Sequence, residues 1–239
     1  MKNTTEKLID IIQQNRNGER KGLYSICSAH PVVLKASMQQ ALEDNSILLV
    51  ESTSNQVDQY GGYTGMTPSQ FAAYIHAMAD ETGFPKENLM LGGDHLGPNA
   101  WQNEPVATAM EKARVLITEY VKAGYSKIHL DASMFCADDE GDRTKPLDDM
   151  IVANRAADLC AAAENTWKEF CFGLPKPLYI IGTEVPIPGG AQEEEDAVNP
   201  TSPGAAAATL EITRNTFVEK GLADVWDRVI GLVVQPGVE

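Results

Sequence analysis

Long apolar runs are missing from this 239-residue sequence, and no stretch approaches the ~18 residues that a membrane-spanning helix needs. The N-terminus (Met-Lys-Asn-Thr-Thr-Glu-Lys) lacks the apolar segment of a secretory signal. Cysteine is scarce. Cys27, Cys136, Cys160 and Cys171 stand far apart with no Cys-x-x-Cys spacing, which excludes a disulfide framework or a cysteine-held structural zinc and points to reduced thiols in a cytoplasmic protein. Positive charge is in short supply too. With 19 Lys and Arg against 34 Asp and Glu the formal net charge is −15, so neither nucleic acid nor an anionic membrane is an expected partner. A Gly-x-x-x-x-Gly-Lys-Ser/Thr loop is absent, and the glycines of Tyr60-Gly61-Gly62-Tyr63-Thr64-Gly65 have no Lys beside them to reach a nucleotide's phosphates.

What is present suits a globular protein: 43% hydrophobic and 22% charged residues, enough for one domain over residues 1–239 with a sizeable core. Six short apolar runs read as strands, at 22–27, 46–51, 88–93, 126–131, 178–183 and 228–235. Several are apolar on both faces, as parallel strands covered by helices must be. Helical periodicity lies between them. A leading helix is predicted at about 3–14. Thr67-Pro68-Ser69-Gln70 carries a capping Thr, Pro at the first helical position and Gln at the third, followed by the stripe Phe71, Tyr74, Ile75, Met78. The stretch 104–123 repeats the pattern with Met110, Ala113, Ile117, Tyr120 and Val121, ending at Gly124; Ser202-Pro203 opens another helix that Gly221 ends.

Repeated strand–helix units mean an open doubly wound sheet or a (β/α)8 barrel. The doubly wound alternative calls for a Gly-rich turn after its first strand, whereas Cys27-Ser28-Ala29-His30-Pro31 has no glycine. The barrel is therefore the expected fold, with about six of its eight units in this chain. A closed barrel takes eight strands and ~250 residues, so strands seven and eight are expected to be missing and the barrel incomplete at its C-terminus.

Barrel active sites form at the C-terminal ends of the strands. In order these ends offer Ser28 and His30; Glu51 with Asn55 and Gln56; Asp94-His95; Asp131 with Ser133; Glu184; and Gln235 with Glu239. Four carboxylates, Glu51, Asp94, Asp131 and Glu184, converge on one mouth where basic groups are scarce. They raise one another's pKa unless a cation or a shared proton offsets their charge, and a divalent metal held by carboxylate and imidazole suits them. Plainer readings stand beside these. Glu51 and Asp131 can cap helices, and Asp94-His95 lies in Gly-Gly-Asp-His-Leu-Gly-Pro, which reads as a tight turn. His30 precedes Pro31 at a helix start. His129 shares strand parity with Asp131 and reads as a hydrogen-bonded core histidine, His76 as solvated, and the run 193–196 as a solvated loop.

The segments CSAHP, TSNQVDQYGGYTGMTP, LGGDHLGPNAWQ, AGYSKIHLDASM, IGTEVPIPGG and VVQPGVE resemble the Z-type subunit of tagatose-1,6-bisphosphate aldolase, the GatZ/KbaZ family, from about residue 20 to the last residue. The resemblance implies a barrel related to class II metal-dependent aldolases and a chain that is the N-terminal part of a longer protein. It also implies a subunit without aldolase activity of its own, needed for full activity and stability of a catalytic Y-type subunit. The reaction served is reversible cleavage of tagatose bisphosphate to glyceraldehyde 3-phosphate and dihydroxyacetone phosphate, in galactitol or amino-sugar catabolism. By analogy with class II enzymes, Asp94 exchanges the proton, His95 binds Zn2+ or another divalent metal, and Asp131-Ala132-Ser133 and Glu184 before Gly189-Gly190 match the next two strand ends. The sixth strand departs: Pro236 before Gly237 replaces a metal-binding His, and Gln235 or Glu239 could stand in for it. Two readings stay open. One is the accessory subunit. The other is an independent metal-dependent epimerase or aldolase-like enzyme acting on a ketose or a ketose phosphate, with Asp94 as base, His95 and Glu184 as metal ligands, and Glu51, Asn55, Asp131 and Ser133 as substrate contacts. The kinase label sometimes attached to this family has no motif here to support it.

Overall fold

Strand-forming and helix-forming segments alternate in the computed structural model, which describes residues 2–143, 145–182 and 200–235. Helix α1 (Thr4–Arg16) leads; then come β1 (Ser25–Ile26), α2 (Pro31–Glu43), β2 (Leu48–Thr53), α3 (Pro68–Thr82), β3 (Leu89–Leu96), α4 (Val106–Lys122), β4 (Lys127–Leu130), α5 (Asp149–Phe170), β5 (Leu178–Ile181), α6 (Pro203–Glu219) and β6 (Val229–Leu232). Local chemistry explains most boundaries. Asn3 and Glu6 form a reciprocal capping box on α1, as Thr67 and Gln70 do on α3, and α3 ends on Gly83 in the left-handed conformation that lacks a steric penalty only for glycine. His30 caps α2, its Nδ1 accepting the Val32 N–H at 3.3 Å, so the helix-start reading of that residue is realised.

Helix α5 has no matching signal in the sequence reading. Its buried face includes Ala153, Ala156, Ala157 and Ala163, small residues that pack closely on α4 and α6 without making a large apolar stripe.

All six strands pair in parallel and in sequence order. A doubly wound sheet reverses its strand order at a switch point, whereas this one never does. The architecture is that of a (β/α) barrel with six units present, and among the described residues β1 and β6 are not paired with each other. The main core lies between strands and helices. A second cluster of Leu8, Ile47, Leu49, Met90 and Leu178, with Ile9 and Ile12, closes the N-terminal end of the barrel, where α1 lies across the strand starts.

Two strands run further than expected: β2 continues to Thr53 and β3 to Leu96. The consequence is positional. Glu51 pairs with Gly92 and Thr53 with Asp94, so Glu51 lies one layer below the mouth instead of at it. His76 differs from expectation as well. It is half-buried and not solvated, and burial lowers its ring pKa.

Candidate functional site

The site begins with a bulge in β3. Gly93 pairs with Ile128 and Leu96 with Leu130, so three steps of β3 run against two of β4. The extra residue leaves His95 at φ +48°, a left-handed conformation uncommon outside glycine. Asp94 and His95 are therefore strand residues on a bulge, not members of a tight turn. Three contacts hold the strained residue: its backbone N lies 3.2 Å from His129 Nδ1, its carbonyl accepts from Ser54 Oγ (3.1 Å), and its Nδ1 lies 2.8 Å from Asp131 Oδ2. Such outliers persist where the surroundings over-determine them, and they concentrate at functional sites.

Asp131 is buried and also accepts from the Ser133 N–H (3.2 Å) and hydroxyl (2.7 Å). Burial alone pushes its carboxyl up, but the His95 hydrogen bond, the nearby His129 ring and the Ser133 hydroxyl together hold it below the ordinary value. As an ionised acceptor it assigns the proton of His95 to Nδ1 and turns Nε2 toward Asp94, 3.8 Å from Oδ2. His129, 1% exposed, stands beside them. Its Nδ1 is 3.0 Å from Asp94 Oδ1, and its Nε2 is 3.2 Å from the Gly182 carbonyl beyond β5. Burial acts to raise the Asp94 pKa, yet the His129 hydrogen bond and the charges of Lys127, His129 and His95 outweigh it and hold that carboxyl well below the carboxylate range.

One ligand atom each from Asp94, His95 and His129 lies within 4.8 Å of the others. Imidazole and carboxylate donors suit zinc and related divalent ions, and bonds of ~2.0–2.2 Å require only a small closing movement of this set. The residues present therefore fit a divalent metal.

The other candidates divide. Asn55 is exposed on the loop after β2. Glu51 is buried against Lys127. Asp131 faces His95, and Ser133 bonds Asp131. Gln235 has its backbone paired with Thr201. Glu184, Pro236, Gly237, Glu239, the Gly189-Gly190 turn and the run 193–196 lie outside the described residues. His129 is indeed a hydrogen-bonded interior histidine, and it also belongs to the site. Lys127 corrects the expectation that basic groups are scarce here, because its side chain rises through the interior to Glu51 and Asp94. Period-two alternation places residues 127 and 129 on one face of β4, in phase with Asp131 just beyond its end, so the parity already noted for His129 extends to Lys127.

Two further features bear on chemistry. The thiol of Cys27, a residue exposed at the end of β1, is raised above its ordinary value by partial desolvation and by the charges of Asp94 and Glu51. In the glycine-rich loop, every N–H from Tyr60 to Met66 is already used. Tyr60 and Gly62 donate to Asp58 Oδ1, Gly61 to the Asp58 carbonyl, Tyr63 to Asn55, Thr64 to Gln56, Gly65 to Gly62 and Met66 to Thr64 Oγ1. The Tyr120 hydroxyl ties the same loop down through the Val57 carbonyl at 2.9 Å. This backbone has no donors left to cradle a phosphate.

Strand order and strand-end chemistry define a (β/α) barrel protein with an Asp94–His95–His129 cluster at its mouth. Residues 8–239 match the family described as D-tagatose-1,6-bisphosphate aldolase subunit GatZ/KbaZ-like, and the chain belongs to that family. A probable tagatose 6 phosphate kinase from Sinorhizobium meliloti 1021 is 46% identical, with a TM-score of 0.79 over 92% of this chain and 50% of that one. The chain thus spans half the length of that solved structure. The YdjI aldolase from Escherichia coli K12 aligns at 13% identity and a TM-score of 0.39 over 79% of this chain and 49% of that one. No helix among the described residues is long and apolar enough to cross a membrane.

Proposed function

We propose that this protein is an accessory subunit of a class II tagatose-1,6-bisphosphate aldolase, acting in the cytoplasm with a catalytic Y-type subunit and turning over little by itself. The observation that carries this reading is the condition of Asp94. A residue that exchanges a proton with substrate needs a carboxylate oxygen free to meet it, whereas Asp94 Oδ1 lies 3.0 Å from His129 Nδ1 and 3.7 Å from Lys127 Nζ, and Oδ2 is turned toward His95 Nε2. It is better suited to bind a cation than to act as a base.

A divalent metal would be held by Asp94, His95 and His129, with Glu184 as a further ligand on the family analogy. When bound it supplies Lewis-acid polarisation of a ketose carbonyl. The chain's own residues orient this set: Asp131, itself bonded by Ser133, holds His95, and the Gly182 carbonyl holds His129, while Asn55, exposed on the loop after β2, would contact a sugar phosphate. Glu51, paired with Lys127, supports the site from below.

The rival, an independent metal-dependent epimerase or aldolase-like enzyme, is favoured by how completely the two histidines are supported. The kinase name belongs to the S. meliloti relative. The absence of a Gly-x-x-x-x-Gly-Lys motif and the internally bonded loop 60–66 give no reason to extend it to this chain.

The test is tagatose-1,6-bisphosphate cleavage by a Y-type subunit with and without this protein, and by this protein alone. Stimulation with a silent control is expected, and Asp94→Asn should leave most of that stimulation in place. Turnover by this protein alone that Asp94→Asn lowers ~10²-fold or more would sink the accessory reading in favour of the enzyme.

A further inference from the structure

Beneath the cluster the interior of the barrel carries a second layer of charge. The strand register sets Glu51, Gly92 and Lys127 level with one another, one residue on each of β2, β3 and β4. Gly92 makes room for the charged pair, since a Cβ there would stand 2.7 Å from Glu51 Oε1. The Lys127 ammonium contacts that same oxygen and reaches to 3.7 Å from Asp94 Oδ1, with Lys127 8% and Glu51 4% exposed.

Glu51 alone would neutralise a buried lysine. The approach to Asp94 is therefore the informative contact. It falls on Oδ1, the oxygen that also meets His129 Nδ1 at 3.0 Å, so Oδ1 is bracketed by two side chains and Oδ2 is left turned toward His95 Nε2. A carboxylate held at one oxygen presents the other in a defined direction. We propose that Lys127 is a positioning residue: wedged between Glu51 and Asp94, it fixes the Asp94 carboxylate so that it faces the His95 and His129 nitrogens and a divalent cation held among them. This rests on the reading of that cluster as a cation site.

The test separates positioning of Asp94 from mere neutralisation of Glu51. Lys127→Met leaves two carboxylates without their cation and endangers folding. The double variant Glu51→Gln/Lys127→Met removes both charges of the pair and is the safer sample, its fold checked by thermal melting without metal. Zn2+ is titrated calorimetrically into the wild type and both variants, and the His129 ring nitrogens are followed by 15N NMR without metal. Positioning predicts that both variants bind Zn2+ at least ~10-fold more weakly and that the His129 ring signals shift in both. Wild-type affinity and wild-type ring signals in the double variant would overturn it, since Lys127 would then serve Glu51 alone. If the wild type itself takes up no Zn2+, the cation reading falls, and the His129 signals by themselves decide whether Lys127 positions Asp94.

Discussion

Replacing Glu164 by Leu is expected to cost about 3–5 kcal/mol of stability, the usual result of removing one partner from a buried ion pair. Glu164 on α5 is buried and receives both arms of the Arg228 guanidinium, Nη1 to Oε1 at 2.7 Å and Nη2 to Oε2 at 2.8 Å, while Tyr179 on β5 donates to Oε1 at 2.6 Å. Arg228 also donates to the Pro177 carbonyl just before β5. One guanidinium thus joins α5, β5 and the start of β6. Without the carboxylate its charge stays largely buried and unpaired. Urea denaturation should show the loss, and Glu164→Leu/Arg228→Met should recover much of it because no lone charge remains. A double variant as unstable as the single one would mean that packing, not charge, is what Glu164 supplies. The effect should extend to the mouth, since β5 leads directly into Gly182, whose carbonyl holds His129.

Gly97→Ala is expected to cost about 3 kcal/mol or more and to dismantle the His95–Asp131 pair. A Cβ at residue 97 would lie 1.5 Å from the Asp131 carbonyl oxygen and 2.7 Å from its carbon. Both are backbone atoms, so no rotamer change relieves the clash. The ends of β3 and β4 would have to part where the Asp131 N–H now bonds the Leu96 carbonyl at 3.1 Å. Gly204→Ala is the matched control: it sits in the first turn of α6 with ordinary backbone angles and only Ser202 Oγ near, at 3.9 Å, and should be neutral or slightly stabilising. Equal denaturation midpoints for the two variants would refute the close approach of these strands.

The features legible in the sequence share a physical origin in local chemistry. The Thr67–Gln70 box and the stripe through Phe71, Ile75 and Met78 are spaced by the helix itself, so α3 could be read from one stretch of chain. Strands apolar on both faces announced a covered parallel sheet. Asp94-His95 stood out because two chemistry-bearing residues ended an apolar run. Helix α5 was less visible because its buried face mixes alanines with Arg155, Glu164 and Thr166, so no continuous stripe of large apolar residues marks it. Lys127 escaped notice for a different reason. A charged residue opening a strand is expected to face water, and only a partner on another strand makes its burial tolerable.

The bulge at His95 belongs with Lys127. Nothing in Gly92-Gly93-Asp94-His95-Leu96 demands a left-handed residue at 95, because the extra step arises from the register of β3 against β4 and is held by His129, Ser54 and Asp131. By itself the sequence determined the alternation of strands and helices, the barrel class, the family and the strand ends where chemistry collects. Those properties depend on periodicity, capping and short words of contiguous residues. Tertiary structure alone decided that Glu51 lies below the mouth, that His129 and Lys127 flank Asp94, and that Asp131 serves His95. Each of those facts depends on distances between strands, and such distances exist only once β2, β3 and β4 are paired.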